Sequence, residues 1–311
     1  MKRHEPKLLA VLLSQRSNVF YLEHVRVLQK DDRVVYLTET GQNVEKFFNL
    51  PDKNTAFVLL GKGTSITDAA VRKLAESNVL VGFCGSGGSP LFGAMDIVFL
   101  PPQNEYRPTE YMQAWMRMWL DEAARVNIAK HFLTTRMEWT FDFWEEDGLH
   151  LSDDLYAKFD RAIRQSDTTG KLLSAEAAWA KGLYKSLAHH YKLEEFAREE
   201  GLRKQDTITA RVNGFLDHGN YIAYGYAAAA LHGLGISFAL PVLHGKTRRG
   251  ALVFDVADLV KDWLVMPLAF KHGTKRGADK VFRGALIDRA QKERVLDKLM
   301  TFMKEASRNN V

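Results

Sequence analysis

Four ionisable residues of this 311-residue chain stand in apolar surroundings in the sequence. Glu176 falls on the face of a helical pattern that otherwise carries leucine and alanine. His244 ends the apolar run that starts at Phe238, and a glycine follows it. Asp255 and Asp258 lie three residues apart within a second apolar run. Burying a carboxylate is costly unless it is paired or bound to a metal. These residues therefore require partners.

Glu176, His244 and Asp258 form a set of oxygen and imidazole ligands if the fold brings them together. Such a set suits Mg²⁺ or Mn²⁺, and the absence of thiolate ligands argues against structural zinc. A divalent ion held there could activate a hydroxyl and stabilise charge on a phosphoryl group. The chemistry that these residue types favour is therefore phosphoryl transfer.

Each residue also has a purely structural interpretation. Glu176 could cap Ser174 or pair with a buried arginine, and His244 could be a hydrogen-bonded histidine of the core. Asp255 could be a helix N-cap, with Asp258 in the first turn stabilising the helix dipole. Taken one at a time, these interpretations are the commoner ones, and only the combination of residues favours a site.

The elements that must position these residues divide into two groups, which predicts an α+β fold. Short β-type runs, separated by polar turns, fill the first hundred residues around one helix at 67–77. A proline-rich polar stretch follows, and the rest is helical in pattern. The predicted units are a small β-sandwich-like domain at 1–102, a linker at 103–108 and an all-α domain at 109–311. The predicted helices are 109–142, 152–165, 171–190, 192–200, 205–212, 217–233, 256–268 and 286–307.

Basic residues are concentrated towards the C-terminal end of the chain. The net charge is +5, yet residues 242–311 hold 15 basic and 8 acidic side chains, a balance of +7. Residues 1–105 hold 12 basic and 11 acidic side chains, a balance of +1. A basic stripe of this kind is typical of phosphate binding, although a solvated helix face is the alternative. The DNA contacts predicted from charge and position are Arg248, Arg249, Lys271, Lys275 and Arg276.

Several classes of protein are disfavoured. The single cysteine, Cys84, cannot form an internal disulfide framework or a cysteine-rich zinc site, and no histidine partner for a catalytic thiol stands near it. The segments Gly61–Thr64 and Gly85–Ser89 lack the spacing of phosphate-binding loops. The apolar run Leu8–Leu13 is short for a signal peptide, and no stretch reaches the ~20 apolar residues of a membrane span. We therefore expect a cytoplasmic protein with no membrane partner.

Four segments carry a resemblance to a known family. They are Leu173–Ala178, Asn220–Tyr226, His244-Gly245 and Val253–Leu259. In this order they resemble the CRISPR adaptation integrases, the metal-dependent Cas nucleases that insert new spacers. The most specific segment is F-D-x-A-D-L, whose first aspartate follows a histidine by eleven residues. That spacing and the Thr247–Arg249 turn look most like subtype I-F.

The resemblance implies roles for individual residues. Glu176, His244 and Asp258 match the metal ligands of the family, and Asp255 matches a second essential aspartate. Asn220 and Tyr224 match a supporting helix motif. The implied reaction is a transesterification in which a homodimer joins the 3′-hydroxyl ends of short duplex DNA to a CRISPR repeat. The implied protein partner is a small ferredoxin-like adaptation subunit, fused in subtype I-F to a helicase-nuclease, and the β domain would serve dimerisation.

Three other functions remain open at this point. The first is a metal-dependent repair nuclease that acts on branched DNA. The second is a non-catalytic DNA-binding scaffold whose carboxylates are structural. The third is a metal hydrolase for small phosphorylated substrates.

Overall fold

The computed structural model describes residues 15–38, 46–85, 91–95, 109–193, 196–199, 207–245 and 250–308. The predicted strand at Leu8–Leu13, together with the proline-rich stretch around residue 102, lies outside these ranges. The described part begins with strands and continues almost entirely with helices, so the α+β prediction is confirmed.

Eight strands of the N-terminal part form two four-stranded sheets. One has the order β1-β5-β7-β8 and the other the order β4-β3-β2-β6. The strands are β1 (Asn18–Leu22), β2 (Val25–Lys30), β3 (Arg33–Thr38), β4 (Lys46–Leu50), β5 (Thr55–Leu60), β6 (Ser65–Ile66), β7 (Leu80–Cys84) and β8 (Leu91–Met95), with helix α1 (Asp68–Glu76) between β6 and β7. The predicted helix at 67–77 is α1, and Thr67 caps it by accepting a hydrogen bond from the backbone N–H of Ala70.

Strand β5 is buried on both faces and joins two cores. Side chains alternate across a strand, so neighbouring residues point to opposite sides of the sheet. Val58 and Leu60 pack in the small core shared by the strands and α1. Phe57 and Leu59 pack in the large core that the helices form. The sheet containing β5 therefore packs directly against the helical part of the chain.

Nine helices and one π-helical turn make up the described part beyond residue 109. They are α2 (Glu110–Leu120), α3 (Glu122–Glu146), α4 (Asp153–Gln165), α5 (Thr169–His190), α6 (Ile208–Gly233), α7 (Ala251–Val260), the π-helical segment Lys261–Val265, α8 (Met266–Gly273), α9 (Asp279–Lys292) and α10 (Val295–Arg308). Helix α6 contacts α7, α8, α10 and β5, and its second half is buried on every side. It is the central helix of the fold.

Several helix boundaries predicted from the sequence are wrong. The prediction of one helix at 109–142 fails at Asp121, whose extended backbone ends α2 and whose side chain caps α3. The predicted helix at 286–307 is divided at Arg294, which has a positive φ. The pieces 205–212 and 217–233 belong to one continuous helix, α6. The described parts of 192–200, residues 192–193 and 196–199, are not helical.

Candidate metal centre

Glu176, His244 and Asp258 converge in the structure. Glu176 lies in the first half of α5, His244 in the loop before α7, and Asp258 within α7. One potential ligand atom from each residue lies within 4.8 Å of those of the other two. Two carboxylates and one imidazole are the donor types that Mg²⁺ and Mn²⁺ accept. The three residues predicted as metal ligands are therefore placed where one ion could contact all of them.

Asp255 organises the loop that carries His244. Its carboxylate accepts hydrogen bonds from the backbone N–H groups of Val242, Leu243 and His244 at 2.7, 3.1 and 2.9 Å. The interpretation of Asp255 as an N-cap is wrong, because α7 begins at Ala251 and Asp255 lies inside it. The run before Asp255 is helical as well, although its sequence looks like a strand.

The Asp255 carboxylate also orients the imidazole of His244. His244 Nδ1 lies 2.7 Å from Asp255 Oδ1, and a carboxylate can only accept, so Nδ1 carries the proton. This leaves Nε2, which lies 3.8 Å from Asp258 Oδ2, as the available ligand atom. Burial lowers the pKa of His244, but Asp255 and the nearby Asp258 outweigh it, so the pKa is raised overall. A metal binds only the neutral imidazole, so it would compete with a proton for Nε2.

Asp258 is held by a lysine on the next helical turn. Lys261 Nζ lies 2.5 Å from Asp258 Oδ1 and 3.1 Å from the hydroxyl of Tyr224, over whose ring it also sits. Burial raises the pKa of Asp258, but the cations Lys261 and Arg136 outweigh it and the pKa is lowered overall. Asp258 is therefore ionised, as a metal ligand must be.

Glu176 pairs with a buried arginine, which was one of its structural interpretations. Arg136 Nη1 lies 2.5 Å from Glu176 Oε1 and 4.0 Å from Asp258 Oδ2. Burial raises the pKa of Glu176, and although Arg136 opposes that shift, the pKa is raised overall. The two interpretations of Glu176 are thus compatible, since one of its oxygens contacts the arginine while the side chain also faces His244 and Asp258.

Three residues of the centre were missed by the sequence analysis: Arg136, Lys261 and Asp262. Arg136 and Asp262 are almost fully buried and form a two-point ion pair. A signal existed for Asp262, because it is one helical turn after Asp258 in an apolar run. No comparable signal identified Arg136, whose partners are 40 or more residues away along the chain.

The centre has a formal charge that one divalent ion would cancel. Four carboxylates and two fixed cations share it, so the charge is −2 in the metal-binding form, in which every carboxylate is ionised and the histidine is neutral. The carboxylates are Glu176, Asp255, Asp258 and Asp262, and the cations are Arg136 and Lys261. The donor set and the charge balance both fit a bound Mg²⁺ or Mn²⁺.

The supporting residues lie on the central helix. Tyr224 contacts Lys261 and packs edge-to-face on Phe254 of α7, with the ring centroids 4.7 Å apart. Asn220, half-buried, is one turn earlier on α6. Tyr224 therefore reaches the centre through the lysine that holds Asp258.

The predicted DNA contacts divide into two groups. Lys271, Lys275 and Arg276 are exposed at the end of α8 and in the turn that follows it. Helix α8 directly continues the segment that carries Lys261 and Asp262. Arg248 and Arg249 lie outside the described residues.

Cys84 has a structural environment. It is buried, its thiol lies 3.5 Å from the carbonyl oxygen of Leu60, and burial raises its pKa to about 11. A thiol that stays protonated is a poor nucleophile, which agrees with the expectation from the sequence. None of the described helices is both long and apolar enough to cross a membrane.

Comparison with known proteins identifies the class and the family. Residues 19–297 match the family described as CRISPR associated protein Cas1. The CRISPR-associated endonuclease Cas1 of Pseudomonas aeruginosa is 43% identical, over 98% of this chain and 97% of the relative. That of Pectobacterium atrosepticum is 40% identical, over 96% and 94%. The chain is therefore of the class of CRISPR-associated endonucleases. It belongs to the Cas1 family, and these two relatives support the subtype I-F resemblance.

Solved structures share the fold. A CAS1 protein from Thermotoga maritima superposes with a TM-score of 0.75 at 13% identity, covering 94% of this chain and 97% of that one. A TtCas1–DNA complex gives 0.70 at 22% identity, covering 94% and 92%. A casposase bound to an integration product gives 0.70 at 14% identity, covering 93% and 90%.

Proposed function

We propose that this chain is a metal-dependent DNA integrase of CRISPR adaptation that joins the 3′-hydroxyl ends of short duplex DNA to a CRISPR repeat. The observation that carries the proposal is the convergence of Glu176, His244 and Asp258 within 4.8 Å in a chain of the Cas1 family. The ion would be Mg²⁺ or Mn²⁺, bound by these three side chains. It would supply Lewis-acid stabilisation of the attacking oxygen and of the phosphoryl charge.

The residues of the chain have separate tasks in this proposal. Asp255 fixes the ring and the loop of His244, since its hydrogen bonds go to that loop. It therefore acts by positioning the His244 ligand. Lys261 orients Asp258, and Tyr224 in turn orients Lys261.

The joining step exchanges one phosphodiester bond for another. The 3′ oxygen of the short duplex forms a bond to a phosphorus of the target strand, and the bond between that phosphorus and the 3′ oxygen of the adjoining nucleotide of that strand breaks. One hydroxyl loses its proton and the other gains one, so the step is balanced.

DNA is the substrate class that the surroundings of the centre favour. Lys271, at the end of the helix that follows the centre, and Lys275 and Arg276, in the turn after it, expose positive charge. Two of the solved structures that share this fold contain DNA or an integration product: a TtCas1–DNA complex and a casposase bound to an integration product. We assign these three residues, with Arg248 and Arg249, to contacts with DNA phosphates.

The proposal extends to the assembly of the protein. The proposal includes a cytoplasmic homodimer formed through residues 1–102, a linker at 103–108 and a helical catalytic domain at 109–311. It also includes a small ferredoxin-like adaptation subunit fused to a helicase-nuclease as the partner. The molecular mass of the purified chain in solution tests the homodimer, and the same measurement with the partner added tests the contact with that partner.

The deciding experiment uses a short duplex with free 3′-hydroxyl ends and a supercoiled plasmid that bears a repeat. With Mn²⁺, we expect the wild-type chain to form joined products. Glu176→Gln and Asp258→Asn should each lower joining by more than about 100-fold, beyond the effect of an outer-shell change. Glu145→Gln, at an exposed position on α3, is the matched control and should join normally.

Two of the alternatives, the scaffold and the repair nuclease, predict different results in that assay. If both variants join as well as the wild type, the carboxylates are structural and the chain is a scaffold. If the wild type cleaves branched DNA with the same residues but never joins ends, it is a repair nuclease.

A further inference from the structure

Arg136 contacts three acidic side chains at once. Its Nε and Nη2 atoms form two hydrogen bonds with the Asp262 carboxylate, at 2.6 and 2.8 Å. Its Nη1 lies 2.5 Å from Glu176 Oε1 and 4.0 Å from Asp258 Oδ2. A planar guanidinium can do this because its donors point in fixed directions, so two of them can hold one carboxylate while another addresses a second.

Asp262, which holds Arg136, is itself held by hydrogen bonds from two tryptophans. The side chain of Asp262 is fully buried, and Trp179 Nε1 donates to its Oδ2 at 2.9 Å. Trp144 Nε1 donates to its backbone carbonyl at 3.0 Å. Asp262 lies in the π-helical segment, a form of backbone that often occurs at functional sites. Helices α3 and α5 therefore both fix the aspartate that fixes Arg136.

A free glutamate side chain has several rotamers, and ordering it costs conformational entropy whenever a ligand binds. In this protein the glutamate side chain loses that conformational entropy during folding, because Arg136 already holds Glu176 towards His244 and Asp258. We propose that Arg136 is a positioning residue, anchored by Asp262, that presets the Glu176 ligand before a metal ion arrives. This inference rests on the proposed metal site.

The test must separate position from charge. Removing Arg136 alone would make the centre more negative, which by itself attracts a cation. Two variants keep the net charge: Arg136→Lys, and Arg136→Met combined with Asp262→Leu. Lysine lacks the fork that bridges two carboxylates. The double variant removes a buried ion pair together, which proteins often tolerate when the replacements are apolar.

The measurement is titration of the full chain with Mn²⁺ alone, without DNA, by calorimetry or by the spin resonance of free Mn²⁺. Outer-shell partners of metal ligands typically contribute 10- to 100-fold in affinity. We therefore expect both variants to bind Mn²⁺ about 10- to 100-fold more weakly than the wild type. The control is Arg289→Met with Asp147→Asn, which removes a tertiary ion pair between α9 and the end of α3. It should bind Mn²⁺ as the wild type does.

Thermal unfolding of the same samples completes the test. A purely structural ion pair would lower the unfolding temperature of the variants and leave their Mn²⁺ affinity unchanged at a temperature where they are folded. That result overturns the inference while the proposed function stands. If the double variant does not fold, Arg136→Lys decides, and wild-type affinity in that variant overturns the inference. If the wild type itself binds no Mn²⁺, the proposed function falls first.

Discussion

The Asp255 carboxylate and the His244 imidazole form one unit, in which a single side chain fixes both a ring and the loop that carries it. The 2.7 Å contact sets the tautomer of His244, and three backbone N–H groups donate to the same carboxylate. The His244 ligand atom therefore has a defined position before any ion binds. Metal sites commonly use a carboxylate to orient a histidine ligand in this way.

Replacing Asp255 with asparagine should loosen this loop. An amide has only one acceptor oxygen, so at least one buried N–H loses its partner, at a cost of about 1–3 kcal/mol. We expect the amides of Val242, Leu243 and His244 to exchange hydrogen faster in Asp255→Asn. Asp258→Asn is the control, because it removes a metal ligand and leaves these hydrogen bonds in place. Equal exchange rates in the two variants would contradict the role given to Asp255.

A buried histidine outside the centre should make the fold sensitive to acid. His218 on α6 packs against Tyr21 and Phe282, and its Nε2 has no hydrogen-bond partner among the described residues. Burial, with a smaller effect of Arg283, lowers its pKa from 6.5 to about 3. The folded state then takes up this proton less readily than the unfolded state. The stability contribution is complete above pH 6.5 and declines as the pH falls.

His218→Leu should remove this dependence. Between pH 8 and pH 5 we expect the wild type to lose about 1–2 kcal/mol of unfolding free energy that the variant retains. Denaturant unfolding at both pH values measures the difference. The same change at the exposed His150 should leave the acid dependence intact. Parallel pH profiles for wild type and His218→Leu would show that His218 does not titrate on unfolding.

Two glycines of α6 should respond in opposite directions to alanine. A Cβ at Gly225 would lie 2.5 Å from the Phe57 ring of β5, whereas a Cβ at Gly214 would meet nothing within 4 Å. Gly225→Ala should therefore destabilise the protein by about 1–3 kcal/mol through overpacking. Gly214→Ala should stabilise it by up to about 1 kcal/mol, because alanine favours the helix. A thermal unfolding comparison that gave both the same sign would contradict the close approach of α6 and β5.

The lysines near the end of α8 should set the salt dependence of DNA binding. Each phosphate contact adds about 0.9 to the slope of log affinity against log salt for duplex DNA. Lys271→Gln with Lys275→Gln should reduce the slope by about 1.8 if both contact phosphates. Binding measured at several salt concentrations gives this slope. Lys158→Gln, an exposed lysine that pairs with Asp154, should leave it unchanged. An unaltered slope in the double variant would remove these lysines from the interface.

The sequence predicted the fold class and the residues that converge, but not the network behind them. Glu176, His244 and Asp258 were visible because each is ionisable within an apolar pattern. Arg136 was not, since its pairing with Asp262 spans 126 residues and local periodicity carries no information at that distance. Helix α6 was predicted as two separate helices for a different reason. Its glycines weaken the helical pattern, and burial against several neighbours compensates for them.

The network around Arg136 also limits when the centre can form as the chain is made. Arg136 and Glu176 are 40 residues apart, but Asp262 follows Arg136 by 126 residues. Contacts between such distant segments form late in folding, because a long stretch of chain must first be ordered. A nascent chain whose residue 262 is still inside the ribosome therefore lacks Asp262, the residue that anchors Arg136. The centre can therefore form only after residue 262 has left the ribosome, and the basic residues that follow it at 271, 275 and 276 are made in the same interval.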